Sequence, residues 1–510
     1  MRTWKSRWLP CSLLRAFALA AAYALAQPAG AANYPLELVS PRAAGTAPSS
    51  DSGTPSIPAG HRIFKAYPGI PYNIKAVVIA GAFPYRFQLA NAPGGMTINA
   101  ATGEISWPNP QADATPTIIV TDAEGTQRSS AWSITVTTSG FRFVDSVRGS
   151  DSNAGTLSAP WATFMKALNS GSSADIVYFR TGTYRADGSH ETEIGGASQP
   201  TRWLAYPGET PVYDGGYVAG GSTGSTLRIN ASGAYPVYIE GFSMRNIYHM
   251  GIQFFSGSCD YPVFRNLAFD GPAVAIDGSN SAGIMTTNSL EDPTYYAAYQ
   301  GLSQVNGGSG LVKQYSHKKH LWENFTITNS RLGPDQKMHV PRFEIRQFTI
   351  TNNRDDWQGG IFGNMQFGSG GVGEKSSGEI RFNFVDRRNM SSTTMALDLN
   401  QNGDSGTMNV YRNTFLGRVR VRNADSADGP FRFYNNVIVN GDSGSHIYLE
   451  SVSAPSRVTS TDDLTGGPGA NIVDANGQLT GAYSQYVGLR GHQIGAASAP
   501  PSPPGNVIVE

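Results

Sequence analysis

Arg265-Asn266-Leu267-Ala268-Phe269 returns, altered, as ENFTI at 323–327, RQFTI at 346–350, FNFVD at 382–386, RNTFL at 412–416 and NNVIV at 435–439. Each copy opens on a polar amide: Asn266, Asn324, Gln347, Asn383, Asn413 and Asn436. Apolar residues then alternate with small or polar ones, the period-two pattern of a strand. The amides are 58, 23, 36, 30 and 23 residues apart. A period in the twenties with longer insertions marks a solenoid, and strand-like units make it a β-solenoid. Stacked coils would let the six amides bond one another along a ladder and satisfy turn carbonyls.

Composition agrees with an all-β chain. Of 510 residues, 59 are Gly and only 15% are charged, while aromatics reach 11%. Lys plus Arg equals Asp plus Glu at 38 each, so no basic excess points to nucleic acid or to an anionic membrane. Residues 1–31 read as a secretory signal: Arg2, Lys5, Arg7 and Arg15, then an apolar run over 16–26, then Ala29-Gly30-Ala31 as cleavage site. The run is too short to span a bilayer, so no membrane insertion is expected. The expected location is the periplasm or the medium, and the expected state a monomer. Cys11 would leave with the signal; Cys259 alone makes no intramolecular disulfide and reads as a small packed residue.

Residues 32–60, rich in Ala, Pro, Ser and Gly, read as a linker. Over 61–138, short alternating runs separated by Pro93-Gly94-Gly95, Thr102-Gly103 and Glu124-Gly125 have the spacing of a β-sandwich. PYRFQLANAPGGMTINAATGEISW (84–107) closely resembles the immunoglobulin/cadherin-like modules of secreted bacterial proteins, which implies a spacer or accessory domain. FRFVDSVRGSDSNAGTLSAPWATFMKALNSGSSADIVYFRTGTYRADG, from residue 141, resembles the first turn of secreted pectate-lyase-like right-handed parallel β-helices. Within it Trp161–Leu168 is expected to cap the open end, and Ile176–Phe179 to be a core strand. YVGLRGHQIGA (486–496) resembles the ending of the same proteins, so the β-helix is expected over 140–496, with a Pro-rich tail at 497–510.

Chemistry is sought on outward strand positions. Over 395–400, Met395, Leu397 and Leu399 are expected inside, with Ala396, Asp398 and Asn400 outside. Over 418–422, Val419 and Val421 point in, and Arg418, Arg420 and Arg422 point out. Over 446–450, His446, Tyr448 and Glu450 point out. With Lys313 and Tyr315 these form a stripe suited to a linear polymer. Tyr295, Tyr296 and Tyr299 in one insertion, and Asp355, Asp356 and Trp357 in another, are the kinds of side chain that bind sugars. His317 and His320, around Lys318 and Lys319, read as a solvated basic turn.

Glu374-Lys375-Ser376-Ser377, followed by Ile380-Arg381-Phe382-Asn383, resembles a coil of β-helical alginate lyases and chondroitinase B. That resemblance implies Lys375 as general base, with an arginine of a neighbouring coil on the uronate carboxylate. Asp398 or Asn400 stands where the arginine is expected, and Arg420 or Arg422 is the substitute one coil further. Elimination needs a cation on the carboxylate, a base for the acidified ring proton and an acid for the leaving oxygen. The expected neutralisers are Arg420, Arg422 or a calcium ion held by Asp398 and Asp356. The expected bases are Lys375, Lys313 or His249, and the expected acids Tyr315 or Tyr448. Tyr295, Tyr296, Trp357, Asp398, Asn400, Tyr448, Glu450 and His249 are the expected substrate contacts. A polysaccharide lyase is the leading expectation; a non-catalytic glycan binder or a β-helical glycoside hydrolase are the alternatives, the last needing a close carboxylate pair.

Overall fold

The computed structural model describes residues 32–50, 53–185, 191–195, 199–218, 226–230, 236–247, 250–256, 259–270, 282–286, 295–307, 310–314, 317–330, 335–336, 342–351, 362–367, 375–388, 395–401, 405–439, 446–467, 470–474, 476–487 and 489–493. The stretches expected as a signal (1–31) and as a Pro-rich tail (497–510) lie outside them. From Phe141 on, successive coils stack into three parallel sheets. Sheet 1 has twelve described strands, from Phe141–Val144 to Val458–Thr461, and sheet 2 has eleven, from Thr183–Tyr184 to Leu464–Gly466. Sheet 3 comes in a six-stranded piece, Glu191–Gly195 to Asp335–Gln336, and a four-stranded piece, Phe362–Phe367 to Ile447–Glu450.

Alternation decides what fills the inside. In Lys319–Glu323, Trp322 joins the helix core while Leu321 belongs to the cluster on the opposite face. Aromatic rings stack coil on coil, Phe264 on Tyr299 at 5.1 Å and Phe325 on Phe348 at 4.4 Å, as the ~4.8 Å strand spacing dictates. Each such buried ring contributes about 1.5–3 kcal/mol. The helix Phe164–Ser170 closes the first coil as expected, N-capped by Thr163, with Phe164 against Phe179, Trp203 and Tyr213. At the other end the described residues 470–474, 476–487 and 489–493 fold back over the outer face of sheet 2. There Ile472, Val473 and Leu479 pack on Leu416, Val437 and Val439, and His492 stacks on Phe384.

The repeated amides divide into two roles. Asn266, Asn324 and Gln347 hold positive φ (51°, 58°, 59°) at the turn from sheet 1 to sheet 2, a conformation that Asn tolerates well. Phe382, Arg412 and Asn435 take that place in later coils, at φ 56°, 53° and 57°. The amide there moves one residue on and points inward. Asn383 Nδ2 donates to Asn413 at 2.9 Å, Asn413 to Asn436 at 3.0 Å, and Asn436 to Asp463 at 3.0 Å. The expected ladder of six is therefore one of three, ended by a carboxylate. In the longest gap Gly301 (φ 65°) occupies the turn position of an additional coil.

The N-terminal module packs against sheet 1 rather than hanging from a tether. Its core holds Tyr72, Ile74, Ile105, Trp107, Ile118 and Trp132, and merges with the outer side chains Phe143, Tyr178, Tyr238, Val263 and Leu321 of sheet 1. A buried ionic seam continues the contact: Lys75–Glu323 at 2.9 Å, Arg346–Glu323 at 2.8 Å and Arg381–Glu344 at 2.6 Å. Arg346 and Arg381 also donate to the Val78 and Gly81 carbonyls. The stretch expected as a linker is partly ordered by this docking. Glu37–Ser40 pairs antiparallel with Val77–Ile79, and Leu36, Leu38, Val39 and Ile57 are buried. The expected solvated turn is also corrected. His317, Lys319 and His320 are buried, and Lys319 Nζ bonds Glu37 at 3.0 Å. Cys259 is packed in the helix core, and burial pushes its thiol up to about 12.

Candidate functional site

The docked module covers sheet 1, and the described residues within 470–493 cover the end of sheet 2; sheet 3 carries the outward stripe. Its last strands are Phe362–Phe367, Met395–Gln401, Arg418–Arg422 and Ile447–Glu450. Register places Asp398 beside Arg420 and Arg420 beside Tyr448, with Asn400 beside Arg422 and Arg422 beside Glu450. Leu397, Leu399, Val419, Val421 and Ile447 fill the core, as the alternation requires. One phase differs: a register shift between Met395 and Leu397 turns Ala396 into the core, although alternation put it outside.

Asp398 organises this face. It has no exposed surface and accepts from both neighbouring arginines. Arg420 Nε and Nη2 reach its two oxygens at 2.9 and 2.7 Å, a bidentate pair. Arg422 Nε lies 3.2 Å from each oxygen. Arg420 Nη1 donates to Glu450 at 2.9 Å, and the Arg418 guanidinium sits 5.5 Å over the Tyr448 ring. Tyr448 is 40% exposed. Arg420 keeps 15% and Arg422 23% of its side-chain surface accessible. Sequence reasoning missed Asn423, which holds positive φ just past the arginine strand and donates to Asn400 at 2.7 Å. A polar amide directly after an alternating strand was the available signal.

The other expected site residues are spread apart. Lys375 is exposed at the corner where sheet 3 leads into sheet 1, its ammonium 2.5 Å from the Ala427 carbonyl. It begins a coil rather than standing on the sheet 3 face. Lys313 is on sheet 3, paired with Met285 and Asp335. Four strand steps separate it from Arg420, roughly 19 Å at the usual spacing. The two cannot serve one sugar. Tyr296 and Tyr299 are buried, correcting their reading as sugar platforms. Tyr296 bonds Glu37 at 2.9 Å, and Tyr299 stacks inside the helix. Tyr295 is half-buried and packs with the N-terminal module. Tyr315, His249, Asp355, Asp356 and Trp357 lie outside the described residues. Asp398 does not fit a calcium ion, because both of its oxygens already accept from guanidinium groups.

The chain is similar to known proteins over both parts. Residues 143–304 match the family described as "Pel9A-like, right handed beta helix region", and residues 54–137 match "Putative Ig domain". Among solved structures, a rhamnogalacturonan lyase is similar at 13% identity, covering 68% of this chain and 95% of that one, with a TM-score of 0.38. A "putative alpha-galactosidase" from Bacteroides fragilis is similar at 14% identity over 33% of this chain and 43% of that one, with a TM-score of 0.16. No curated protein matches. The chain is a mostly-strand protein in which an immunoglobulin-like module precedes a parallel β-helix, whose residues 143–304 are similar to the right-handed β-helix family named above.

Proposed function

We propose that the protein is an exported polysaccharide lyase that cleaves a uronate-containing polymer by β-elimination along the outer face of sheet 3. One observation carries the reading. Arg420 and Arg422 are oriented side by side by the buried carboxylate of Asp398, on a face that stays partly open. Fixed guanidinium groups bind a uronate carboxylate in the planar geometry it prefers, and withdraw charge from the neighbouring ring carbon. A base then takes the proton on that carbon, the bond to the glycosidic oxygen breaks, and an acid returns a proton to that oxygen. Tyr448, one coil from Arg420, is the acid in this scheme. The base is not assigned to Lys375, which sits at the corner off this face and donates to the Ala427 carbonyl. Asp398 is a positioning residue.

Export is part of the proposal. Cleavage after Ala31 would leave Ala32 as the first residue, and its nitrogen stands 3.2 Å from the Glu124 carboxylate. The next residue, Asn33, donates to Glu379 and Tyr434 at 2.8 and 2.9 Å. A mature chain beginning at Ala32 would thus dock its own end, which mass spectrometry of the exported protein checks.

A hydrolase has one specific observation in its favour: Asp398 and Glu450 share the Arg420 guanidinium, and paired carboxylates about 5–9.5 Å apart do such chemistry. Asp398 is fully covered by its arginines, which leaves Glu450 without an accessible partner among the described residues. The deciding assay follows absorbance near 235 nm on acidic and neutral polysaccharides, with calcium and with chelator. A rise on an acidic polymer, lost in Arg420→Ala, is expected. New reducing ends without that absorbance would support the hydrolase, and polymer binding without either product would support a glycan-binding protein.

A further inference from the structure

Where the N-terminal module meets the first coils of sheet 1, the contact leaves a half-open cleft of about 290 Å³. It is on a different sheet from the arginine face. Its walls come from both domains: Asn73, Glu104 and Ser106 from the module, and Tyr206, Glu209 and Glu240 from the helix. Tyr178 and Arg265 line its buried base, at 2% and 5% exposure.

We propose that this cleft is a second, non-catalytic carbohydrate site that takes one neutral sugar unit. The size is at the low end of small-ligand pockets, enough for a ring-sized ligand. The lining combines an aromatic side chain with hydrogen-bonding groups of both kinds, which is what a polyhydroxylated ring needs: an apolar face to rest on and partners for hydroxyls that donate and accept. Tyr206 supplies the aromatic wall, and Arg180 (4.2 Å over its ring) and Tyr178 (6.0 Å between centroids) hold it in place. Glu104, Glu209 and Glu240 accept; Asn73 and Ser106 donate and accept.

Charge selects against an acidic sugar. Three carboxylates line the cleft, offset by the guanidinium groups of Arg62, Arg265 and Arg180, the last paired with Glu209 at 2.6 Å. Arg265 is already committed to Glu104 at 2.8 Å and to Glu240 at 3.3 Å. A uronate entering here would find no excess of positive charge, unlike the sheet 3 face with its three arginines, and would compete with Glu104, Glu209 and Glu240 for the guanidinium groups. Burial also holds the Glu104 carboxyl above the usual range despite Arg265, so a hydroxyl donor is a better guest than another anion. The cleft would let the protein hold a neutral branch or segment of a mixed polymer while the acidic segment lies elsewhere.

Calorimetric titration of the full chain with methyl glycosides of galactose, glucose, rhamnose and arabinose, and with galacturonate, tests this. At least one neutral glycoside should bind saturably in the millimolar range. Binding should weaken at least tenfold in Tyr206→Ala and in Ser106→Phe, which fills the cleft from the module side, and should be unchanged in Arg420→Ala. Absorbance at 235 nm on an acidic polymer should not change in the cleft variants on short substrates, which keeps this test separate from that of the lyase. No saturable binding of any neutral glycoside, binding that survives both cleft variants, or binding of galacturonate alone would overturn the proposal.

Discussion

Asp398 shows how one side chain sets the character of a face. Taking its charge away in Asp398→Asn would leave Arg420 and Arg422 without the acceptor that orients them. A stability loss of roughly 3 kcal/mol is expected, at the lower end for a broken buried pair because both arginines keep some exposure. Elimination activity should fall at least tenfold even where the variant is folded, read as kcat/KM at 235 nm. Arg420→Ala should cost about 10²–10³-fold, the usual effect of removing one preorganised charge-stabilising donor. Tyr296→Phe separates the tertiary reading from the sequence reading. Removing a hydroxyl that bonds Glu37 and Lys319 in a dry seam should lower stability by about 1–3 kcal/mol and leave polymer binding unchanged. At this scale the Asp398, Arg420, Tyr448 and Glu450 positions were legible, because alternation alone assigns outward residues. Tyr296 and His320 were not, since nothing local to them says that a distant strand, or the inside of the helix, will cover them.

The coil is the element where equal-looking residues diverge. Asn413 accepts from the Asn383 backbone N–H at 3.1 Å and donates to the Ile380 carbonyl at 2.8 Å, both buried. Asn413→Ala should leave those groups unpaired and cost about 2–4 kcal/mol in urea unfolding. Asn324, in the same phrase, only needs a positive φ, so Asn324→Gly should stay within about 0.5 kcal/mol of the parent. Equal losses at both sites would show that the two amides share one role after all. The phrase made the coil visible but not its phase. A one-residue shift between turn and ladder exchanges an exposed amide for a buried one, and both fit the same short pattern.

The whole molecule depends on a charged, dry contact between its two parts. The seam of Glu323, Glu344, Arg346 and Arg381 is buried on both sides, and separation would expose ionised groups that now satisfy each other. A single calorimetric transition is therefore expected; two well-separated transitions would show that the domains unfold independently. Stability should also fall with acid in two windows. Burial lowers His61 to about 3 and His492 to about 4, and lowers His320 well below its ordinary value. The unfolded chain then binds more protons from pH 6.5 downward, so stability is full above 6.5 and is lost as pH falls toward those values. Although burial opposes it, Arg346 and Lys75 hold Glu323 down to about 2, so its contribution is present above about 4.5 and lost between there and 2. Urea midpoints measured from pH 8 to pH 3 check both. The coil repeat, the capping helix, the sandwich spacing and the inward or outward sense of most strand residues were in the sequence, because they follow from local alternation and turn chemistry. Which faces are covered, which charges are buried in the seam and that Tyr296 is core were decided only by the N-terminal module docked along sheet 1. Those outcomes rest on contacts between residues more than two hundred positions apart, and no short pattern carries them.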